Sequence, residues 1–132
     1  MAVTRLARLL RQQDNSGFGP TLTSALSTVA KRGPMTLVEL AAQERVAPPT
    51  ITKIVDRMVA AGYVQRTCDP RDRRVSLVAS TSSGDHQLQA FRQRRVAWLQ
   101  DRLRELDPDD LTRLVDALDV LERLTAMPEV DA

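Results

Sequence analysis

The stretch MTLVELAAQERVAP, residues 35–48, constrains the fold more than any other part of the chain. Thr36 and Glu39 form the T-x-x-E capping box, in which side chain and backbone at a helix start satisfy each other reciprocally. Met35 and Leu40 stand where a hydrophobic staple would hold the entering chain. The pattern predicts a helix over LVELAAQE, and a few residues, RVAP, then turn the chain. Pro48 falls at the first position of the next helix, where its missing N–H is no loss and its fixed φ suits the helix. That helix is expected to end at Gly62.

The helix starting at Pro48 is two-faced. Ile51, Ile54, Val55, Met58 and Val59 follow the i, i+3, i+4, i+7, i+8 spacing and are expected to face a core. Pro49, Thr52, Lys53 and Asp56 make the opposite face, small and polar near the N-terminus, with Arg57 alongside. Such a face is either an ordinary solvated one or that of a recognition helix, whose first turn enters a major groove because short side chains let the backbone come close.

After Gly62, YVQRT alternates as a strand does, and VSLVAS mirrors it, so the pair reads as an antiparallel hairpin. Between them lies CDPRDRR, which puts Arg71, Arg73 and Arg74 on one connection with Asp69 and Asp72 interleaved. Three guanidinium groups at a hairpin tip repel one another and bury nothing. The order helix, helix, turn, helix, hairpin is that of a winged helix-turn-helix, and in that setting the tip is a wing whose arginines point at DNA.

The remainder reads as helical. Leu6, Leu9 and Leu10 lie at helical spacing in residues 3–13, and DNSGFGP breaks the pattern. Leu22, Ala25, Leu26 and Val29 predict a second helix that stops at Gly33-Pro34, with Gly33 as a left-handed cap. Hydroxyls of TSS, 81–83, are expected to cap a long helix carrying Leu88, Phe91, Val96, Leu99, Leu103 and Leu106. DPDD, 107–110, starts a last helix with Asp as cap, Pro at the first position and carboxylates against the positive end of the dipole. Its stripe of Leu111, Leu114, Val115, Leu118 and Leu121 ends near Met127-Pro128. The fold class is mainly α with a small β-hairpin wing. The chain is expected to be a single domain over 1–132, with a winged helix-turn-helix core at 19–81 and dimerisation helices at 1–13 and 82–127. The two C-terminal apolar stripes exceed what the small winged core of one subunit can cover, which predicts a homodimer.

Composition narrows the function. Between Arg45 and Arg74 there are seven basic and three acidic residues, so within a chain of net charge +2 the remainder carries −2. A basic block in an otherwise slightly acidic protein is the footprint of a surface that meets phosphates. Aromatics make up 3%, too few for the stacking platforms of single-strand binders, and Phe18, Tyr63, Phe91 and Trp98 are expected in core or interface. One histidine, His86, and one cysteine, Cys68, leave no means of assembling a metal site, a Ser–His–Asp triad or a disulfide framework, and no enzyme activity or cofactor is expected. His86 is expected on a helix surface. Cys68 is either a thiol sensitised by Arg66 and Arg71 or, in the preferred reading, a small strand residue packed beneath the wing. No run reaches the ~18 apolar residues of a membrane span, and MAVTRLARLLRQQD alternates Leu with Arg, so no membrane association and a cytoplasmic location are expected.

The segment GPMTLVELAAQERVAPPTITKIVDRMVAAGYVQRTCDPRDRRVSLVAST resembles the DNA-binding core of the MarR family of bacterial transcriptional regulators. The most specific pieces are MTLVELA, PPTITKIVDRM, the GYVQR strand and the DPRDRR wing, in the right order and spacing. At the level of helix order the resemblance extends over all 132 residues. It implies a homodimer in which N- and C-terminal helices interlock, binding palindromic double-stranded DNA operators with recognition helices in successive major grooves and wings in flanking minor grooves. It further implies, for many members, a small anionic or phenolic effector, and for several a response to thiol oxidation. Thr50, Thr52 and Lys53 match the family's base- and phosphate-contacting positions. Arg73 matches the wing arginine that enters the minor groove, while Asp72 and Arg74 match positions that brace the wing. With Pro49, Arg57 and Arg71 these make up the expected DNA-binding set. Ala47 stands where many members have a Ser N-cap, a departure expected to cost about 1 kcal/mol. The alternative function is a dimeric protein-interaction module of the same fold that does not bind DNA.

Overall fold

The computed structural model describes residues 1–14 and 17–126. The element order is α1 (Ala2–Arg11), α2 (Pro20–Arg32), α3 (Leu37–Glu44), α4 (Pro48–Ala60), β1 (Val64–Cys68), β2 (Ser76–Ser80), α5 (Ser82–Leu103) and α6 (Pro108–Ala126). The expected fold class holds: helices throughout, with one antiparallel hairpin. The chain divides into two compact units, Met1–Val96 and Ala97–Ala132.

In the first unit the core is built where the apolar spacing placed it. Leu22, Ala25, Leu26 and Val29 of α2 meet Leu40 and Ala41 of α3 and Ile51, Ile54, Val55 and Met58 of α4, closed below by Val64 and Val78 of the hairpin. Each large side chain removed from water here contributes about 1.5–3 kcal/mol. Val59 does not join them. It is 37% exposed, because an eighth-residue step has drifted off the buried arc of a helix with 3.6 residues per turn.

The capping box at Thr36 is present in both halves: the Glu39 N–H donates to the Thr36 hydroxyl at 3.1 Å, and the Thr36 N–H donates to the Glu39 carboxylate at 3.3 Å. Met35 and Leu40 are both buried, as a staple requires. Gly33 ends α2 at φ 81°, ψ −169°, a positive-φ extended conformation rather than the expected left-handed helical one. The left-handed cap occurs instead at Arg45, φ 54°, ψ 43°, where the chain turns between α3 and α4. Position 45 is neither Gly nor Asn, the residues that commonly mark such a cap, so nothing at that position announces it.

The strands pair from Val64↔Ser80 to Cys68↔Ser76, leaving residues 69–75 as the tip. Beyond the hairpin, Met35 and Val78 exchange backbone hydrogen bonds of 3.1 and 2.8 Å, so the residue before the Thr36 cap of α3 extends the sheet by one bridge. Cys68 is a strand residue, as expected, yet it is exposed rather than packed beneath the wing: it shares the face of buried Val64 but lies at the last position of β1, next to the tip and past the core. Phe91 is buried, Phe18 and Tyr63 pack partly against the core, and His86 is on the helix surface.

Thr81 caps α5 by accepting from the Gly84 N–H at 3.1 Å. Gly84 is buried against the chain that enters the hairpin, and a Cβ there would lie 2.1 Å from the carbonyl oxygen of Tyr63. Only glycine allows that approach.

In the second unit, the Asp110 N–H donates to the Asp107 carboxylate at 2.9 Å, the expected cap of α6. The Arg102 guanidinium sits 4.1 Å over the Trp98 ring. Leu106 lies in the turn after α5 rather than on that helix. Among the described residues of α6 none is buried; the stripe from Leu111 to Leu121 is exposed along its length. The expected end of that stripe at Met127-Pro128 lies outside the described residues.

Candidate nucleic-acid interface

Burying one arc of α4 leaves Pro49, Thr50, Thr52, Lys53, Asp56 and Arg57 exposed together on the other. The start of this helix is unusual. Pro48 and Pro49 occupy its first two positions and carry no N–H, and the Thr50 N–H already donates to the Ala47 carbonyl at 2.9 Å. A hydroxyl at position 47 would find no orphan donor to satisfy, so Ala47 costs less than the expected ~1 kcal/mol. The same arrangement leaves this helix end with few backbone donors for a phosphate, which puts the burden on side chains. The Thr52 hydroxyl donates to the Pro48 carbonyl at 3.0 Å, so towards a partner it presents lone pairs and a methyl group. That chemistry suits an exocyclic amino group of a base or a thymine methyl.

Two contacts tie α4 to its surroundings, and the sequence showed neither. Asp56, expected on the polar face, forms an ion pair of 2.6 Å with Arg66 of β1, linking the recognition-type helix to the hairpin. Both partners are about half exposed, so the pair contributes about 0–1 kcal/mol and acts chiefly on geometry. Arg57 lays its guanidinium 5.6 Å over the Phe18 ring, which in turn meets Tyr63 edge-on at 5.4 Å.

The tip is held by its carboxylates. Asp72 accepts from the Arg74 backbone N–H at 3.1 Å, from Arg74 Nε at 3.0 Å and from its Nη2 at 3.1 Å. The side-chain bond from Arg74, then the backbone bond, hold the Asp72 carboxyl below the usual carboxylate range, and Asp72 raises the Arg74 guanidinium in turn. Asp69 accepts from the Arg71 N–H at 2.9 Å, while its own N–H donates to the Val75 carbonyl at 3.0 Å. Asp69 was not among the expected site residues, although Asp followed two positions later by a backbone N–H is the Asx-turn signature. Arg74 is thus clasped in place. Arg71 and Arg73 are exposed and, among the described residues, have no carboxylate partner. The polar face of α4 and the paired wing belong to one compact unit; Asp72 and Arg74 are brought together, while Arg57 is drawn to Phe18. Among the described residues no group of His, Cys, Asp and Glu could hold a metal, and no helix is long and apolar enough to cross a membrane.

Comparison with known proteins agrees with this geometry. The MarR family model matches residues 19–76. A helix-turn-helix-type transcriptional regulator of Mycobacterium leprae is 38% identical over 125 residues, covering 94% of this chain and 87% of that one. A second, from Mycobacterium bovis, is 37% identical over 122 residues, 92% and 85% of the two chains. Two crystal structures show the same fold: a transcriptional regulator of Thermotoga maritima, with a TM-score of 0.79, 24% identity and 96% coverage of both chains, and wild-type MarR of E. coli, with a TM-score of 0.74, 24% identity and 89% and 88% coverage. With a relative this similar along nearly its whole length and a family model that matches from before α2 to the start of β2, the chain belongs to the MarR family of transcriptional regulators.

Proposed function

We propose that the protein is a sequence-specific, double-stranded-DNA-binding repressor that works as a homodimer on palindromic operators and responds to a small effector. The observation that carries this reading is the pairing, in one compact unit, of a helix face made of short polar side chains and Lys53 with a carboxylate-braced tip that leaves Arg71 and Arg73 unpaired among the described residues. Thr50, Thr52 and Lys53, with Pro49 permitting close approach, meet the major groove and its phosphates. Arg73, with Arg71 beside it, reaches the minor groove, whose negative potential favours a guanidinium without a unique base pattern to read. Asp72 and Arg74 hold the wing in shape. The helices at 1–13 and 82–127 form the dimer, and the apolar stripe exposed on α6 supports that assignment.

Sequencing the DNA that the protein retains from a fragmented genome tests the reading. Retained fragments should share a two-fold symmetric motif with half-site centres about one helical turn, ~10 bp, apart. Salt-dependent binding with no preference surviving competitor DNA, or footprints without two-fold symmetry, would overturn it.

A further inference from the structure

We propose that Phe18, in the connection between α1 and α2, is a positioning residue for DNA binding. Its ring holds the Arg57 guanidinium in place, so that the in-plane N–H groups are set to donate to one backbone phosphate beside the groove that α4 enters. The proposal rests on the reading of the protein as a DNA-binding regulator, and it adds a residue outside both the recognition-type helix and the wing. The Arg57 guanidinium lies 5.6 Å from the centroid of the Phe18 ring, within the ~6 Å reach of a cation–π contact. The ring is itself supported: Tyr63 meets it edge-on at 5.4 Å, with 72° between the ring planes. Tyr63 is fixed at the junction of α4 and β1, its N–H donating to the Met58 carbonyl at 2.9 Å and its carbonyl accepting from the Thr81 N–H at 3.0 Å. Gly17 and Gly19, at φ 77° and 84°, let the chain turn on either side of Phe18.

Arg57 is exposed and stands one helical turn beyond Lys53, so the two cations share an edge of α4. Its neighbour in the chain, Asp56, is engaged by Arg66 at 2.6 Å. Among the described residues Arg57 has no carboxylate partner, so its charge is held in direction without being neutralised. With Pro48 and Pro49 removing backbone donors from the start of α4, side-chain cations have to supply the phosphate contacts of this helix. A free arginine samples many rotamers, and freezing them on a phosphate costs affinity; a stacked one has lost them beforehand. Stacking engages only the flat face of the guanidinium, whose five donors lie in its plane. Two other accounts of the contact explain less. An arginine in the last turn of α4 favours the helix dipole, but that interaction needs no ring. Phe18 packs partly against the core, but that packing needs no cation.

Affinity of the full chain for an operator recovered from the fragmented genome, measured over a salt series, tests the assignment. Arg57→Gln should weaken binding about tenfold and flatten the log-affinity against log-salt slope by about one unit, the share of one phosphate. Phe18→Leu keeps apolar bulk and removes the ring; with an unaltered thermal melt it should weaken binding about two- to tenfold. Added to Arg57→Gln it should do nothing further, because the two residues act as one unit. Phe18→Tyr, which keeps the ring, should recover the loss. In nuclear magnetic resonance the Arg57 side-chain protons should be shifted upfield by the ring and stay so in the operator complex, a measurement that stands even if Phe18→Leu fails to fold. Equal losses from Phe18→Leu with and without Arg57 would overturn the proposal, since Phe18 would then act through the fold alone. So would a Phe18→Tyr no better than Phe18→Leu, unchanged affinity in Arg57→Gln or in Phe18→Leu, or an Arg57 that leaves the ring when the operator binds. Arg73→Ala on the same operator keeps the two readings apart. A protein with no preference surviving competitor DNA overturns the regulator reading and this inference with it, whereas an operator on which Arg73→Ala loses affinity and Arg57→Gln does not overturns this inference alone.

Discussion

Helix α4 buries Ile51, Ile54, Val55 and Met58 in the winged core, whereas α6, with as regular an apolar stripe, leaves Leu111, Leu114, Leu118 and Leu121 between 38% and 50% exposed. The spacing rule is the same for both helices; what differs is the availability of a surface within the chain to cover it. For α4 that surface is α2, α3 and the hairpin, brought close by short connections. No described residue of α6 is buried, and the dimer proposed above is what would cover a stripe of this length.

The sharpest way to break the contrast is to put a carboxylate into each helix. Val55→Asp buries an unpaired charge in a core residue that is fully covered, at a cost of several kcal/mol against a total stability of about 5–15. The expected outcome is loss of the cooperative thermal transition. Leu118→Asp should instead leave a cooperative melt and split the dimer, raising its dissociation constant by about a hundredfold or more in light scattering. A wild-type chain that is monomeric at micromolar concentration would remove the contrast altogether.

Gly84→Ala probes the winged unit from its far side. The added Cβ meets a backbone carbonyl that cannot swing away, so α5 or the start of the hairpin must shift, at about 1–3 kcal/mol by chemical denaturation. Unchanged stability would mean that the close approach is absent in solution.

On the DNA-facing side the effects are smaller and differ in kind. Arg73→Ala should weaken binding to operator and unrelated DNA by similar factors and flatten the log-affinity against log-salt slope by about one unit or less. Thr52→Ala should narrow the gap between operator and non-operator, and the dimer should survive both. Affinity and salt dependence unchanged in Arg73→Ala would make the wing a solvated turn.

The least effect concerns pH. Because Asp72 is held below its ordinary value by Arg74, its contribution to wing order is fully present above the unfolded carboxylate value, about 3.9, and fades as pH falls through the lower folded value. The protection of the Arg74 and Val75 amides, their exchange measured against the intrinsic rate at each pH, should therefore fall below about pH 4 in the wild type, and Asp72→Asn should show the lower protection already at neutral pH.

How much could be foreseen depended on the range of the interaction involved. Thr36, Glu39, Pro48, Asp107 and the apolar spacing of α2, α3 and α4 determined the helix starts, the turn and the buried faces, because caps, proline geometry and helical periodicity act within a few residues and are written in consecutive sequence. The hairpin and its acidic-basic tip were legible for the same reason. The bridge from Met35 to Val78, the Asp56–Arg66 pair, the stacking of Arg57 on Phe18, the contact of Gly84 with Tyr63 and the exposure of Cys68 were decided by the tertiary structure. Apart from the solvent-facing Cys68, each joins groups far apart in the chain, and which of several charged or small residues meet is fixed only once the helices have packed.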